Sequence, residues 1–495
     1  MEGDVEGAGY AVLPMRLATL IAAIGPLEVR GSTSGEIAAL SYDAAASRPG
    51  ALHFCVPGLR ADGHDFAGQA AERGAAALVV ERFLEIDLPQ LRVPSSRWAM
   101  GPAADAFYGH PSGELSVVGI TGPNGKTTTA FLTHAVLAAA GLRPGLLGTV
   151  EARIGGQPVE VEHTTPESIE LQALLRRMLD AGDRSCAMEV SSHALALGRV
   201  EGTRFAAAAF TNLTQDHLDF HPTMEDYLAA KRRLFEGGRW PAAINIGDPY
   251  GRRLAAEVPG TVLTYAADGE TADVRPHALE IGAGGSIALI ARTPRGLLPL
   301  DVRLRGMFNV ENVLCVVAIG ELLELPHEAV RAGIAALQGV PGRFEPVDAG
   351  QPFTVLVDYA HTPDSLDNVL RAARAITGRR LVVVFGCGGD RDRGKRPLMG
   401  AVARRLADRA IVTTDNPRSE DAAAIVAEIT GGVEMEVELD RRCAIELAVA
   451  AAAPGDVVVI AGKGHEQGQQ FADRTLPFDD RTVAREALAA MLAET

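Results

Sequence analysis

Apolar positions along this chain fall into short, strand-length runs separated by stretches with helical spacing. Residues 115–120 form one such run, and residues 128–140 carry apolar side chains at helical intervals, so a buried strand feeding a helix is predicted there. Residues 206–211, 242–246 and 262–265 read as further short strands, and upstream a helical stretch at 66–73 precedes a strand at 76–80. Beyond residue 342 the alternation is cleaner. Runs at 354–358, 380–385, 410–414 and 457–461 are apolar throughout, with helical segments between them, which predicts a mostly parallel, doubly wound sheet. Two breaks rich in glycine and proline, at 108–113 and 339–343, divide the pattern. The expectation is therefore an α/β protein of three domains, spanning 1–112, 113–341 and 342–495.

The turn between the first strand and helix carries the strongest chemical signal. Its sequence is Thr121-Gly122-Pro123-Asn124-Gly125-Lys126-Thr127-Thr128. A glycine-containing turn that opens a helix points backbone N–H groups and the positive helix end at a polyphosphate. Lys126 then reaches the β- and γ-phosphates and the Thr127 hydroxyl sits on Mg²⁺, with ATP the default ligand. The spacing is short of the usual G-x-x-x-x-G-K-[ST] form, because Ile120 stands where its first glycine would fall. The competing reading is a strand-to-helix turn without a ligand.

Composition narrows the partners. The chain has 495 residues, a hydrophobic fraction of 47% and a formal net charge of −16 without a basic tail or stripe, which argues for packed cores and against nucleic acid. The five cysteines are scattered, so neither a disulfide framework nor a zinc site is expected, and a reducing, cytoplasmic setting is. No signal-peptide pattern or bilayer-length apolar run is seen. The expected partners are small molecules, not a membrane, and the expected state is a monomer.

Each strand of the last domain leads into a polar loop: 358–363 (DYAHTP), 386–396 (GCGGDRDRGKR), 415–418 (DNPR) and 462–466 (GKGHE). Ligands of open parallel sheets bind beyond the carboxyl ends of the strands, so four such loops on one rim suggest a second ligand site, against the plainer reading of four solvated loops. Arg391 and Arg418 lie on neighbouring loops, and a guanidinium fork matches a carboxylate. The plainer reading of Arg418 is a pair with Glu420 or Asp421 at a helix start. In the central domain, Glu189 in 188–193 (MEVSSH) and His217 in 212–219 (NLTQDHLD) follow strands and are candidate Mg²⁺ ligands; His217 also reads as a hydrogen-bonded structural histidine. Nothing in the composition singles out Lys231.

These motifs together resemble the ATP-dependent Mur ligases of peptidoglycan synthesis, and within them the ligases that add the third amino acid. The shared motifs are TGxNGKT, MEVSSH, NLTxDHLD, AKxxLF, GxFNxxN, PGRFE, DYAHTP, GGDRDxGKR, DNPR and GKGHE, in order between residues 119 and 466, with a weaker match in the first domain through Pro49-Gly50, Phe54 and 63–66. The resemblance implies an N-terminal mixed α/β domain that binds UDP, a central P-loop-type ATPase and a C-terminal Rossmann-like domain, with the breaks near 112 and 341 as hinges. It implies that Gly122, Pro123, Asn124, Gly125, Lys126, Thr127, Thr128, Asn309, Asn312 and Arg343 bind ATP. Thr127, Glu189, His217 and a carbamylated Lys231 would hold magnesium, and Lys126, Lys231, His217 and Glu189 would be catalytic. His163, Thr164, Thr165, Ser191 and Arg199 match contacts to a UDP-MurNAc-dipeptide, and Tyr42, Ala44 and Leu197 occupy further positions of that site.

The resemblance also assigns Arg391, Asp415, Asn416, Pro417, Arg418, Gly462 and Glu466 to the incoming amino acid, with DNPR the signature for meso-diaminopimelate. The implied reaction joins meso-diaminopimelate to the D-Glu γ-carboxylate of UDP-MurNAc-L-Ala-D-Glu through an acyl phosphate. The alternatives are an L-lysine-adding ligase of the same family or a non-catalytic nucleotide-binding relative. One departure stands out: the family's D-S-R near the uracil site is Asp43-Ala44-Ala45 here.

Overall fold

A computed structural model describes residues 13–58, 61–269, 271–282 and 285–493. The first dozen residues of the expected N-terminal domain lie outside it. The chain divides into two compact units, one of residues up to Gly119 together with Leu142–Ala206, the other of Ile120–Gly141 together with Ala207 onward.

In the first unit a five-stranded sheet runs in the order Glu28–Arg30, Gln90–Arg92, Ala77–Val80, Ala51–Phe54, Ala39–Ser41. Only its first pair is antiparallel. The runs ALHF and ALVV are buried along their whole length because both faces of the sheet are covered. Leu52, Phe54, Val79 and Leu91 pack with Leu17, Leu20, Met100 and Ala103 of two helices on one side, and Leu78, Val80 and Cys55 with Ala67 and Ala70 on the other. Ser95 caps the longer helix, Ser96–Phe107, by accepting from Trp98 N–H. A second set of strands places Ser185–Glu189 parallel to Pro144–Leu147, which a meander through Ala152–Ile154 and Gln157–Val159 extends.

In the second unit, strands Ala207–Phe210, Ala242–Asn245 and Val262–Tyr265 are parallel neighbours. Helices Lys126–Ala139 and Phe308–Leu322 accompany them, and the former begins two residues earlier than the periodicity predicts because Lys126 and Thr127 already take helical backbone. An antiparallel three-stranded sheet, Arg275–Ile281, Ile287–Thr293 and Gly296–Val302, follows. The last part is a six-stranded sheet in the order Glu345–Val347, Thr354–Asp358, Val457–Ala461, Leu381–Phe385, Arg409–Val412, Glu436–Val437, parallel except for the first pair. Alternate residues of its central strands go to opposite cores: Leu381, Val383, Phe385 and Val459 to one, Val382, Val384, Val458 and Ile460 to the other. This explains why those runs are apolar without alternation. Insertion of Val457–Ala461 between the strands that begin at 354 and 381 creates a topological switch point, and the polar loops gather at its carboxyl rim.

One buried ion pair ties the C-terminal helix to this sheet. Arg441 and Asp480 have no exposed side-chain surface; Arg441 Nε and Nη2 each lie 2.7 Å from an Asp480 oxygen, and Nη2 also donates to the Ala461 carbonyl at 3.0 Å. Removing one partner leaves the other charge buried alone. Asp480→Ala should therefore cost about 3–5 kcal/mol, read as a lowered urea midpoint, while the double change Arg441→Met with Asp480→Leu should lose clearly less.

Candidate functional site

The phosphate loop is shaped by close approach as much as by its ligand chemistry. Gly122 and Gly125 have φ of 146° and 85°. A Cβ on Gly122 would come within 1.8 Å of Thr211 Oγ1, and one on Gly125 within 2.4 Å of Asn312 Oδ1. Only glycine satisfies both the backbone conformation and the space. The Thr211 hydroxyl donates to the Asn124 carbonyl at 2.6 Å, and the Asn124 N–H donates to Asn212 Oδ1 at 3.2 Å. Lys126 folds back over the loop, with Nζ 2.7 Å from the Gly122 carbonyl and 2.9 Å from that of Pro123. Thr127 and Thr128 are buried in the first turn of the helix.

The other residues expected at ATP surround this loop. Asn312 Nδ2 donates to Asn309 Oδ1 at 2.9 Å, and Asn309 Nδ2 to the Arg305 carbonyl at 2.7 Å. Arg343 Nη2 lies 3.0 Å from Thr127 Oγ1, and its guanidinium carbon is 4.5 Å from the centre of the Tyr359 ring. Asn124 Nδ2 reaches Asp364 Oδ2 at 2.8 Å. Asp364 follows the DYAHTP loop and carries no signal of its own in the sequence, since a carboxylate in the first turn of a helix is commonplace.

Lys231 and His217 lie near the same loop. Lys231 is 1% exposed, with Nζ 3.5 Å from Thr121 Oγ1 and 4.7 Å from the centre of the Tyr227 ring. Burial, and then the charge of Lys126, hold its pKa well below the usual lysine value, against the opposing pull of Asp216. His217 has φ of 54°, and its Nε2 is 3.3 Å from Asp216 Oδ2. Burial opposes ionisation of Asp216, but the neighbouring His217, His361, Lys395 and Lys126 outweigh it and lower its pKa to about 2. For His361, burial and then Lys395 lower the pKa to about 4. Asp216, His361 and Lys395 stand inside the NLTQDHLD, DYAHTP and GGDRDRGKR motifs but have no role that residue type alone assigns.

The loops at the rim of the C-terminal sheet interlock. Gly389 N–H donates to the Asn416 carbonyl at 2.8 Å, and Arg418 Nη1 to the Gly389 carbonyl at 2.7 Å. Asn416 Nδ2 lies 2.8 Å from Glu466 Oε2, and Tyr359 and His465 have ring centres 5.2 Å apart. A Cβ on Gly462 would lie 2.5 Å from Asp415 Oδ2, so that glycine permits the close packing of two loops. Arg418, at φ of 51°, also donates Nε to Gln470 Oε1 at 3.1 Å. Pairing with Glu420 or Asp421 is excluded: Glu420 receives Arg396, and Asp421 caps the following helix through Ala424 N–H. Burial, and then the charge of Arg391, lower the Arg418 pKa, as expected for two guanidiniums sharing one region. Arg391 is itself exposed, and Asp415, Asn416 and Pro417 are buried.

The remaining expected residues belong to the first unit. Glu189 is 1% exposed; Oε1 accepts from Thr149 N–H at 2.8 Å and Oε2 from the Thr149 hydroxyl at 3.1 Å. Thr149 and Thr164 hydroxyls are 3.0 Å apart. Thr165 links the Glu189 carbonyl to Ser191 N–H, and Arg199 Nη1 donates to the Thr165 carbonyl at 3.0 Å. Arg199 and Arg97 both engage Glu167 Oε1, at 3.1 and 2.8 Å. Ser191 caps the short helix Ser192–Ala196, which Leu197 ends, and His163 is exposed. For Tyr42, burial and then the charge of the Glu170 carboxylate raise the pKa. Ala44 is buried, and Asp43 Oδ1 accepts from Ala45 N–H at 2.9 Å, so the aspartate of the altered segment closes its own turn. Among the described residues no helix is long and apolar enough to cross a membrane.

Known proteins carry the same architecture. Three family profiles match: the Mur ligase family catalytic domain at residues 36–108, the Mur ligase middle domain at 120–320, and the Mur ligase glutamate ligase domain at 342–464. A UDP-N-acetylmuramoyl-L-alanyl-D-glutamate--2,6-diaminopimelate ligase from Geobacter metallireducens is 45% identical, over 94% of this chain and 97% of its own. One of the same name from Streptomyces coelicolor is 46% identical over 92% and 93%. A solved structure of a ligase with that name superposes with a TM-score of 0.68 at 31% identity, covering 95% of this chain and 98% of the other. A MurF ligase from Thermotoga maritima in complex with ADP, at 19% identity and a TM-score of 0.59 over 92% and 97% of the two chains, shares the fold. With relatives so similar along almost the whole length, this chain belongs to the Mur ligase family.

Proposed function

We propose that this protein is the ATP-dependent ligase that joins meso-diaminopimelate to the γ-carboxylate of the D-glutamate in UDP-MurNAc-L-Ala-D-Glu. The observation that carries the amine assignment is the setting of Arg418. Its Nε and one Nη1 hydrogen are engaged by Gln470 and Gly389, and among the described residues no carboxylate is bound to it. A guanidinium so held, with Arg391 beside it and Asp415 and Glu466 on adjoining loops, suits an amino acid with a second carboxylate and a second ammonium.

The chemistry follows from leaving groups. A carboxylate oxygen of the substrate attacks the γ-phosphorus of ATP and ADP departs, leaving an acyl phosphate. The neutral amine then attacks the acyl carbon, inorganic phosphate leaves, and the amine's surplus proton passes to solvent. The loop N–H groups and Lys126 would hold the phosphates in line, since phosphoryl transfer depends chiefly on positioning and charge stabilisation. Asn309, Asn312 and Arg343 would seat the nucleotide.

Magnesium fits the donors. The residues that the family resemblance implies as ligands include Thr127, a hydroxyl, and Glu189, a carboxylate, each a hard oxygen donor. Among the described residues no three His, Cys, Asp or Glu side chains cluster as a metal cage, so nucleotide phosphates and water would complete the shell, the usual manner for this ion. When bound, it neutralises phosphate charge. His217 and Lys231 are the further ligands that the family resemblance implies, the latter as a carbamate. A protonated lysine cannot add CO₂. Burial, and then the charge of Lys126, lower the pKa of Lys231 and so favour its neutral amine, which is the form that carbamylation requires.

The primary test is phosphate release with ATP, Mg²⁺ and UDP-MurNAc-L-Ala-D-Glu, comparing meso-diaminopimelate with L-lysine. Turnover with meso-diaminopimelate alone is expected, and preference for lysine would overturn the reading of Arg418. Arg418→Ala should weaken meso-diaminopimelate by about 2 kcal/mol or more, roughly thirtyfold in KM, and leave the KM for ATP within about twofold. Lys126→Ala should lower ADP formation by about 10²–10³-fold, the scale of losing one transition-state charge stabiliser; unchanged turnover would remove the phosphate-loop assignment. Lys231→Ala should be inactive and partly rescued by added short carboxylates, and full unaided activity would refute the carbamate.

A further inference from the structure

Lys463, in the rim loop 462–466, is a cation with no exposed side-chain surface, and the reaction proposed above does not use it. Burying an ammonium is costly unless its donors are met. Both partners of Nζ are residues assigned to the incoming amine: Asn416 Oδ1 at 2.8 Å and Glu466 Oε2 at 3.0 Å. Asn416 closes the triangle by donating Nδ2 to the same Glu466 Oε2 at 2.8 Å. Its Oδ1 also accepts from Gln470 N–H at 2.9 Å, which fixes which end of the amide faces Lys463, because a backbone N–H can only donate.

The consequence is an asymmetric carboxylate. Glu466 Oε2 receives two donors from the protein, whereas among the described residues Oε1 receives none, and the side chain is 31% exposed. Asn416, by contrast, spends both ends of its amide on Lys463, Gln470 and Glu466. It therefore ties Lys463, Gln470 and Glu466 together. Three facts point the same way: the location of Lys463 within the loop 462–466, its full burial, and its choice of partners.

Resting on the amine assignment above, we propose that Lys463 is a positioning residue for amine specificity: with Asn416 it pins one oxygen of Glu466 so that the other is presented to a second ammonium group on the incoming amino acid. Lys463 itself does not touch the substrate. A lysine that merely filled space or stabilised the loop would affect every amine alike. A lysine that aims Glu466 affects only amines that carry the second ammonium.

The test compares two acceptors, meso-diaminopimelate and 2-aminopimelate, which keeps both carboxylates and the reacting amine but lacks the second one. For the wild-type enzyme kcat/KM should favour meso-diaminopimelate. In Lys463→Met that preference should fall at least tenfold, through KM for meso-diaminopimelate, with kcat within threefold and 2-aminopimelate within twofold of wild type. Glu466→Gln should reproduce the collapse. Should Lys463→Met fail to fold by circular dichroism, Asn416→Ala, which removes the other strut, is measured the same way and should lower the preference at least fivefold. A preference unchanged within twofold in any of the folded variants, or both acceptors impaired equally, overturns the proposal. Absence of turnover of meso-diaminopimelate by the wild type would instead overturn the functional reading on which it rests.

Discussion

Burial of both faces of parallel strands is the constraint from which the rest of the C-terminal chemistry follows. Strands such as Leu381–Phe385 and Val457–Ala461 send alternate residues into two separate cores, so neither face has room for a polar group. Polar chemistry is therefore pushed to the strand ends. Because the strands are parallel, their carboxyl ends share one rim, and the switch point beside Val457–Ala461 opens a crevice there. Placement of Asp415, Arg418 and Glu466 within reach of one another is a product of topology before it is one of hydrogen bonding.

The same logic, with glycine in place of the crevice, shapes the phosphate loop. Thr211 and Asn312 come so close to Gly122 and Gly125 that a single extra carbon would collide with either. The loop is thereby moulded by the strand and helix that follow much later in the chain. Rigid backbone N–H groups are what a transferring phosphoryl group needs, since stabilisation by dipoles already in place requires no reorganisation at the moment of reaction. Rigidity also accounts for the left-handed backbone at His217, Phe344, Asp390 and Arg418, four non-glycine residues whose strain the surrounding contacts must hold.

Electrostatics then separates the two halves of the second unit by task. Near the phosphate loop, Lys126, Lys395 and a buried Lys231 of lowered pKa surround Asp216, an environment suited to anionic phosphates. At the rim, positive and negative groups alternate: Arg391 and Arg418 against Asp415 and Glu466, with Lys463 buried behind. Such a mixture has little use for a bare anion but matches a zwitterion with charges at both ends.

The strands at 207–210, 242–245, 262–265 and the central strands of the last sheet, and the glycine-lysine-threonine turn, were legible in the sequence, because apolar runs bounded by glycine and proline report a both-faces-buried strand directly. The short strands at 28–30, 39–41 and 90–92 and the antiparallel sheet at 275–302 carry no such runs. Residue types at the rim were legible too. What the linear pattern left open was partnership. The sequence allows Arg418 to pair with Glu420, two residues away, yet Arg396 claims Glu420 and frees Arg418 for the pocket. Neither Asp364 beside Asn124 nor Lys463 beneath Glu466 has a local signature, since a carboxylate early in a helix and a lysine in a glycine loop are ordinarily solvated. By itself the sequence determined the fully apolar strands, the phosphate loop and the inventory of charges. Only the tertiary structure decided which charges meet and which are buried, because burial and pairing depend on distances between residues far apart in the chain.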